Sequence, residues 1–288
     1  MSTATIAVPT RRASAVWSAL RETGPIGLAS AAVIVVALLV TIFGPLIAPA
    51  DPYLGQLSNS YVGPGPGAPL GYDGAGRDVL SRVLAGARTS MLGPFFVVIL
   101  CLAAGTLLAV WTSWVRGTVD AVVSSVLDIL FAFPGILLAI LATAIFGKGL
   151  TAATFALAIA YTPYVARTLR GAALRERSLL YISALEVQGA SAWAICFRHV
   201  IPNIVPLILA QATTLFGYAM VDLAAISFLS LGVQPPFPDW GVMISENLSG
   251  AVQGFPLAAL SAGLCIVVVV ISFSLLGQRL HENYEARR

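Results

Sequence analysis

The residues able to do chemistry are few and scattered. His199 and His281 are the two histidines in 288 residues, and neither has the spacing of a metal site or of a nucleophile triad. The three cysteines, Cys101, Cys196 and Cys265, are odd in number and far apart, without a CxxC or Cys/His cluster, and read as small packing residues. No GxxxxGK[ST] stretch occurs, and FGKGLT at 146–151 lacks the spacing of a phosphate cradle. The chain is therefore not expected to bind ATP in that way or to be an enzyme.

Composition says where such a chain lives. Hydrophobic residues make up 58% and charged residues 10%, with mean hydropathy +0.89, far from the roughly 25% charged of soluble domains. A net charge of +3 is too small to suggest a nucleic-acid partner. A spanning helix needs about 20 mainly apolar residues, and six segments meet that test: 26–48, 91–115, 119–147, 150–166, 203–231 and 251–277. The fourth, LTAATFALAIAYTPYVA, is the shortest, and its Ala and Thr suit close packing inside a bundle. The first follows Arg11, Arg12 and Arg21 and is too long for a signal-peptide core, so it is expected to be an uncleaved anchor.

With the N-terminus inside, twelve of the sixteen Lys/Arg residues fall on the inner side, and Arg77, Arg82, Arg88 and Lys148 fall outside. The positive-inside rule thus places both termini in the cytoplasm. The expected organisation is a cytoplasmic segment 1–25, an anchor helix 26–48, an external loop 49–88, a five-helix core 89–277 holding a cytoplasmic loop 172–202, and a cytoplasmic tail 278–288. The Gly-Pro alternation at 63–67 excludes regular structure, and RDVLSRVLAGAR predicts a short interfacial helix with Arg77, Asp78, Ser81 and Arg82 on its polar face. Asp73, Arg77, Asp78 and Asp239-Trp240 could contact an external protein or form an ion-paired surface; the second option is favoured for 73–82, and Trp240 is left open, tryptophan at this depth being most often an interface anchor.

One polar passage, SALEVQGASAWAICFRHVIPN at 183–203, interrupts the apolar chain on the cytoplasmic side. It reads as two short helices: Leu179, Ile182, Leu185 and Glu186 share a register before a hinge at Gly189, and Ser191 to His199 form the second, ended by Pro202, which near the first turn can also begin the next helix. A membrane-lying amphipathic helix or a solvated linker would fit the periodicity as well.

The order Ala184, Gly189-Ala190-Ser191, Ile195, Arg198-His199 and Ile201-Pro202-Asn203 resembles the cytoplasmic "EAA" coupling loop of ATP-binding-cassette importer permeases. Ser183 stands where that motif has its glutamate and Leu185 where its second alanine is usual, with Glu186 nearby. PLGYDGAGRDVLSRVLAGARTS at 69–90, LDILFAFPGILLAI at 127–140 and SFLSLGVQPPFPDWGVMI at 227–244 are similar to the second, "C-type", permease subunit of dipeptide, oligopeptide and nickel importers.

The resemblance implies an all-α integral membrane protein of the prokaryotic inner membrane, with the six-helix type I importer permease fold. It also implies a coupling surface at Ser183, Ala184, Glu186, Gly189, Ala190, Ser191, Arg198 and Pro202. The implied partners are a second homologous permease subunit, two ATPase subunits that bind ATP and Mg, and an external solute-binding protein; no cofactor is implied in this chain. The implied cargo is a di- or oligopeptide, with nickel or another solute as an alternative. Asp128 and Asp222 are the only acids well within the spans, where a charge costs roughly 2.5–3.5 kcal/mol, so both should face protein or water. A structural hydrogen bond is expected at Asp128. Asp222, further towards the outside, is a candidate to line the path and attract an amino group; it is also the basis of a rival reading as a proton-coupled secondary carrier. A passive membrane anchor is the third reading. Pro94, Pro134 and Pro163 are candidate bends for moving helices, and Asp128 and Pro134 join Asp222 as candidate residues of the translocation path.

Overall fold

In a bilayer the backbone must satisfy its own hydrogen bonds, which leaves helices as the natural solution for a chain this apolar. The structure, a computed structural model, describes residues 24–115 and 117–286, and no β-strand occurs among them. The expected cytoplasmic segment is outside the described residues up to position 23, as are Arg116, Arg287 and Arg288. The helices are α1 (Gly24–Ile47), α2 (Val79–Val115), α3 (Gly117–Ala132), α4 (Gly135–Phe146), α5 (Leu150–Arg177), α6 (Leu180–Val187), α7 (Ala192–Ile195), α8 (Ile201–Phe228), α9 (Trp240–Glu246), α10 (Leu248–Val252) and α11 (Leu257–Ala286). Five residues of π-helix, Cys196–Val200, join α7 to α8.

Four helical stretches among the described residues are long and apolar enough to cross a membrane: α1, α2, the continuous Ala192–Phe228 and α11. A fifth candidate is a sharply bent pair of helices. The expected single helix 119–147 is two helices, α3 and α4, bent by 83° at Phe133-Pro134. Proline has no N–H to donate and disfavours helical geometry in the residue before it; the Pro134 carbonyl then accepts from Leu137 and Leu138 N–H and starts α4. Pro94 and Pro163, in contrast, lie inside continuous helices.

The expected fourth span, 150–166, is not among the helices long and apolar enough to cross a membrane; it continues past 166 as α5, whose 28 residues cover about 42 Å. It is less apolar than the others because it is the packed centre of the bundle. Ala153, Ala156, Ala158, Ala166, Ala172 and Ala173 are all buried along it, and such small side chains let neighbouring backbones come close. Opposite, a Cβ on Gly105 of α2 would stand 2.5 Å from Val165 Cγ1. Val97, Cys101, Leu157, Val165, Leu169, Leu215 and Met220 fill the core between α2, α5 and α8; Cys101 and Cys196 are buried and unbridged, as packing residues should be.

The expected interfacial helix is not separate. Its residues are the first turns of α2, started by Asp78, whose Oδ2 accepts the Ser81 N–H at 2.7 Å. Its polar face meets protein, not water. Asp73 is fully buried: its Oδ1 accepts the N–H groups of Ala75 and Arg77, each at 2.9 Å, and its Oδ2 accepts Arg77 Nε at 2.8 Å. Arg77 and the fully buried Arg82 both donate to Glu246 Oε2, at 2.9 and 2.8 Å. The loop 49–78 is thereby tied to α9, and Tyr61 stacks on Phe255 at 5.1 Å to close the same side.

Trp240 is 3% exposed and donates from Nε1 to the Val83 carbonyl at 3.0 Å, so it is a core residue rather than an interface anchor. Asp239 caps α9 by accepting the Gly241 and Val242 N–H groups and the Ser90 hydroxyl. Burial pushes the Asp239 carboxyl above the usual carboxylate range, and these hydrogen bonds oppose the rise.

Removing one partner of a buried ion cluster costs roughly 3–5 kcal/mol. Asp73→Ala is therefore expected to lower the melting temperature of the detergent-solubilised protein clearly, whereas Asp51→Ala, at an exposed position, should leave it within about 0.5 kcal/mol of the parent.

Candidate functional site

The cytoplasmic loop is a mount with a displayed edge. Within α6, Ile182 is 1% exposed and joins Ile195, Cys196 and Val200 in a second apolar cluster over Val110 of α2 and Ala173 of α5, with Leu185 packed against it. On the other side Leu180 is 88% and Val187 89% exposed. Leu180, Ser183, Ala184 and Val187 are related as i, i+3, i+4 and i+7, so they form one ridge on the helix surface. Leu179 and Glu186, expected in the register of Ile182 and Leu185, are exposed.

Local capping fixes the loop's shape. Gly189 has φ +80°, a left-handed value that β-carbons resist. Its N–H reaches the Glu186 carbonyl and the Ala190 N–H reaches the Leu185 carbonyl, both at 3.0 Å, a paired closure of the helix end. Gly189 is therefore the tight stop of α6 rather than a loose hinge. Ser191 begins α7, its hydroxyl oxygen accepting the Ala194 N–H at 3.3 Å. The helical path does not stop at Pro202, but the proline does sit in the first turn of α8, as its second expected role has it. The π-turn shifts the hydrogen-bond ladder, with Ile201 N–H bonded to the Cys196 carbonyl, just where proline has no donor to offer.

The last turn of α5 holds this loop. Glu176, 6% exposed, accepts the Tyr181 hydroxyl at 2.6 Å and Asn203 Nδ2 at 2.7 Å, joining α5, α6 and α8 at one carboxylate. Burial and the Glu176 bond push the Tyr181 phenol up to about 12, so it remains a donor throughout the physiological range. Arg177 donates from Nη1 to the Ser113 and Trp114 carbonyls at 2.7 and 2.8 Å, satisfying the end of α2, and lies 4.4 Å over the Trp114 ring.

Of the residues expected on the coupling surface, Ser183, Ala184, Glu186, Gly189, Ser191, Arg198 and Pro202 are exposed and Ala190 is half-buried. The structure brings them into one loop. The expected path residues are not gathered into one site. Asp222 accepts the Tyr161 hydroxyl at 2.6 Å between α8 and α5. Asp128 is an exposed ion-pair partner of Arg167, and a bidentate pair of Arg170 with Asp120 lies further along α5. Pro134 sits at the bend. Leu180, Val187, Glu176 and Tyr181 were not singled out in the sequence, and Asn203 entered only as part of the Ile201-Pro202-Asn203 resemblance. The ridge could have been found from the spacing of Leu180, Ala184 and Val187, but the Glu176 hub could not, since its partners depend on how three helices meet.

A helical membrane bundle with a broken span, a small-residue central helix and a capped cytoplasmic loop showing an apolar ridge defines a transport permease of the type I importer class. The solved inward-facing MetNI methionine ABC transporter shares this fold, with TM-score 0.54 over 72% of this chain and 96% of the matched chain at 21% identity. The profile of the family described as "Binding-protein-dependent transport system inner membrane component" matches residues 101–288. The chain is 38% identical to the glutathione transport system permease protein GsiD of Pectobacterium atrosepticum, over 76% of this chain and 72% of that one. It is 36% identical to the dipeptide transport system permease protein DppC of Alkalihalophilus pseudofirmus, over 87% and 82%. The chain belongs to this family of inner-membrane permeases.

Each donor to the buried Glu176 is worth roughly 1–3 kcal/mol if lost. Tyr181→Phe and Asn203→Ala are expected to loosen the loop, read as faster limited trypsin cleavage after Arg198 in the purified protein; Ser178→Ala, whose exposed hydroxyl bonds only the local Arg175 carbonyl, should not change it.

Proposed function

We propose that this permease carries peptides inward and is driven by two ATPase subunits that seat on the α6 ridge. In this reading it pairs with a second homologous permease subunit and takes cargo from an external solute-binding protein. ATP and Mg are bound by the ATPases, and this chain holds no cofactor and does no bond chemistry. Support for the cargo comes from the relatives, which are glutathione and dipeptide transport permeases by name.

The observation that carries the driving mechanism is the ridge. Two large apolar side chains, almost fully exposed on a capped cytoplasmic helix, mark a protein interaction surface. Burying each is worth about 1.5–3 kcal/mol. Motion of an ATPase would pass through α6 to the Glu176 hub and so into α5, α8 and α2, which can switch as packed bodies. Ser183, in place of the family's glutamate, offers a hydroxyl at the centre of the ridge, and Glu186 supplies a carboxylate one turn on.

Exposed charge on the other side of the bundle supports the path. Arg167 and Asp128 lie about 15 Å from the cytoplasmic ends of α5 and α3, in the inner half of the membrane, with side chains 59% and 64% exposed. Such groups do not face lipid without a cost of roughly 2.5–3.5 kcal/mol each, so this side faces water or the second permease.

The carrier reading rests on Asp222 and its Tyr161 partner. Uptake into proteoliposomes separates the two: ATP-driven import is expected to survive collapse of the proton gradient, and gradient-driven uptake without ATP that Asp222→Asn abolishes would favour the carrier. Leu180→Asp is expected to weaken association with the ATPase subunits at least tenfold, since 1.4 kcal/mol is a factor of ten, with the melting temperature of the isolated permease unchanged. Co-purification reads the first quantity and a thermal shift the second.

A further inference from the structure

Between α2, α3 and α5 lies a cavity of about 330 Å³ lined by Thr112, Ser124, Asp128, Arg167 and Arg170, among others. Its chemistry differs from that of two larger cavities, of about 510 and 560 Å³, whose linings are mainly aliphatic and aromatic. We propose that this cleft is a subsite for a zwitterionic peptide on its way to the cytoplasm, with Arg167 receiving the C-terminal carboxylate and Asp128 the N-terminal ammonium. The inference rests on the peptide reading above and adds the residues that meet the cargo.

Four observations carry it. The two ion pairs on α5 are not alike: Arg170 and Asp120 are 33% and 17% exposed and bonded through two nitrogens, one at 2.9 Å, whereas Arg167 and Asp128 are 59% and 64% exposed and meet through one nitrogen. The first pair is built to stay and the second to exchange. An exposed pair contributes roughly 0–1 kcal/mol, so replacing it by two new pairs, one to each end of a zwitterion, costs little and leaves the cleft neutral. A simple cation would leave Arg167 unpaired, and a simple anion would leave Asp128 unpaired. Next, the Phe131 ring lies 5.0 Å from the Arg167 guanidinium and holds it in the cleft when Asp128 is drawn away. Third, the Ser124 hydroxyl at the cavity wall makes no hydrogen bond to the described residues and can meet a peptide group. Finally, an extended dipeptide spans about 7 Å, a length that a cavity of this size accepts.

The test uses the complete transporter in proteoliposomes and three labelled cargoes: Ala-Ala, N-acetyl-Ala-Ala and Ala-Ala-amide. Asp128→Asn is expected to narrow the preference for Ala-Ala over its N-acetyl form at least fivefold, leaving the preference over the amide intact; Arg167→Gln is expected to do the reverse. If each variant instead slows all three cargoes by one common factor, the pair is a latch between α3 and α5 and the subsite is wrong. Unchanged preferences in both variants overturn it as well. If the unaltered transporter takes up no dipeptide, the cargo reading itself fails and the subsite falls with it. A dipeptide carrying a diazirine, photolysed in the unaltered complex during turnover, covers the case in which the variants do not assemble. Labelling of α3 and α5 around Asp128 and Arg167 is expected, and labelling confined to their outer ends overturns the proposal.

Discussion

Everything in this molecule depends on how closely α2 can approach α5. Val165 sits over Gly105, and alanines line the buried face of α5 from Ala153 to Ala173. Water gives no drive to bring helices together inside a bilayer, so contact area between small side chains has to hold them. That contact fixes the cytoplasmic end of α5, where Glu176 and Arg177 reach α6, α8 and the last carbonyls of α2. A cytoplasmic loop mounted in this way can push on the bundle; one tethered only at its ends could not.

Charge is distributed by the same constraint. The external loop carries its ions into a closed cluster of Asp73, Arg77, Arg82 and Glu246. The arginines of α5 instead find acids on α3, with the outer of the two pairs the more exposed. One cluster is built for rigidity at the outer face. In the proposed reading the other borders the side of the bundle where cargo passes, and the exposure of its members, not their presence, sets the two apart.

Much of this was legible in the sequence where the determining contacts are local. The end of α6 at Gly189 and the start of α7 at Ser191 need only neighbouring residues, and both positions were marked in the sequence, although Gly189 was expected to be a hinge. Apolar length located α1, α2, α8 and α11. The sequence misled where a polar pattern has a distant partner. RDVLSRVL read as a separate interfacial helix, and the ion-paired option favoured for 73–82 had no visible partner, because Glu246, which occupies Arg77 and Arg82, lies more than 160 residues away. The true end of α5 was missed because Arg167, Arg170 and Arg177 look like loop residues until Asp128, Asp120 and the end of α2 are brought against them. The break at Pro134 was foreseen as a bend; its 83° angle was not, because its size depends on α4 folding back over α5.

The central claim is that the α6 ridge is the place where driving force enters the bundle. It is tested most directly by placing a single cysteine at position 187, with Cys101, Cys196 and Cys265 replaced, and treating the assembled transporter in membranes with a short thiol-to-amine cross-linker. A linked species containing this permease and an ATPase subunit, lost when the ATPase is omitted, is the predicted result. A cysteine at 187 that links to no ATPase, or is labelled equally fast with and without it, would contradict the account.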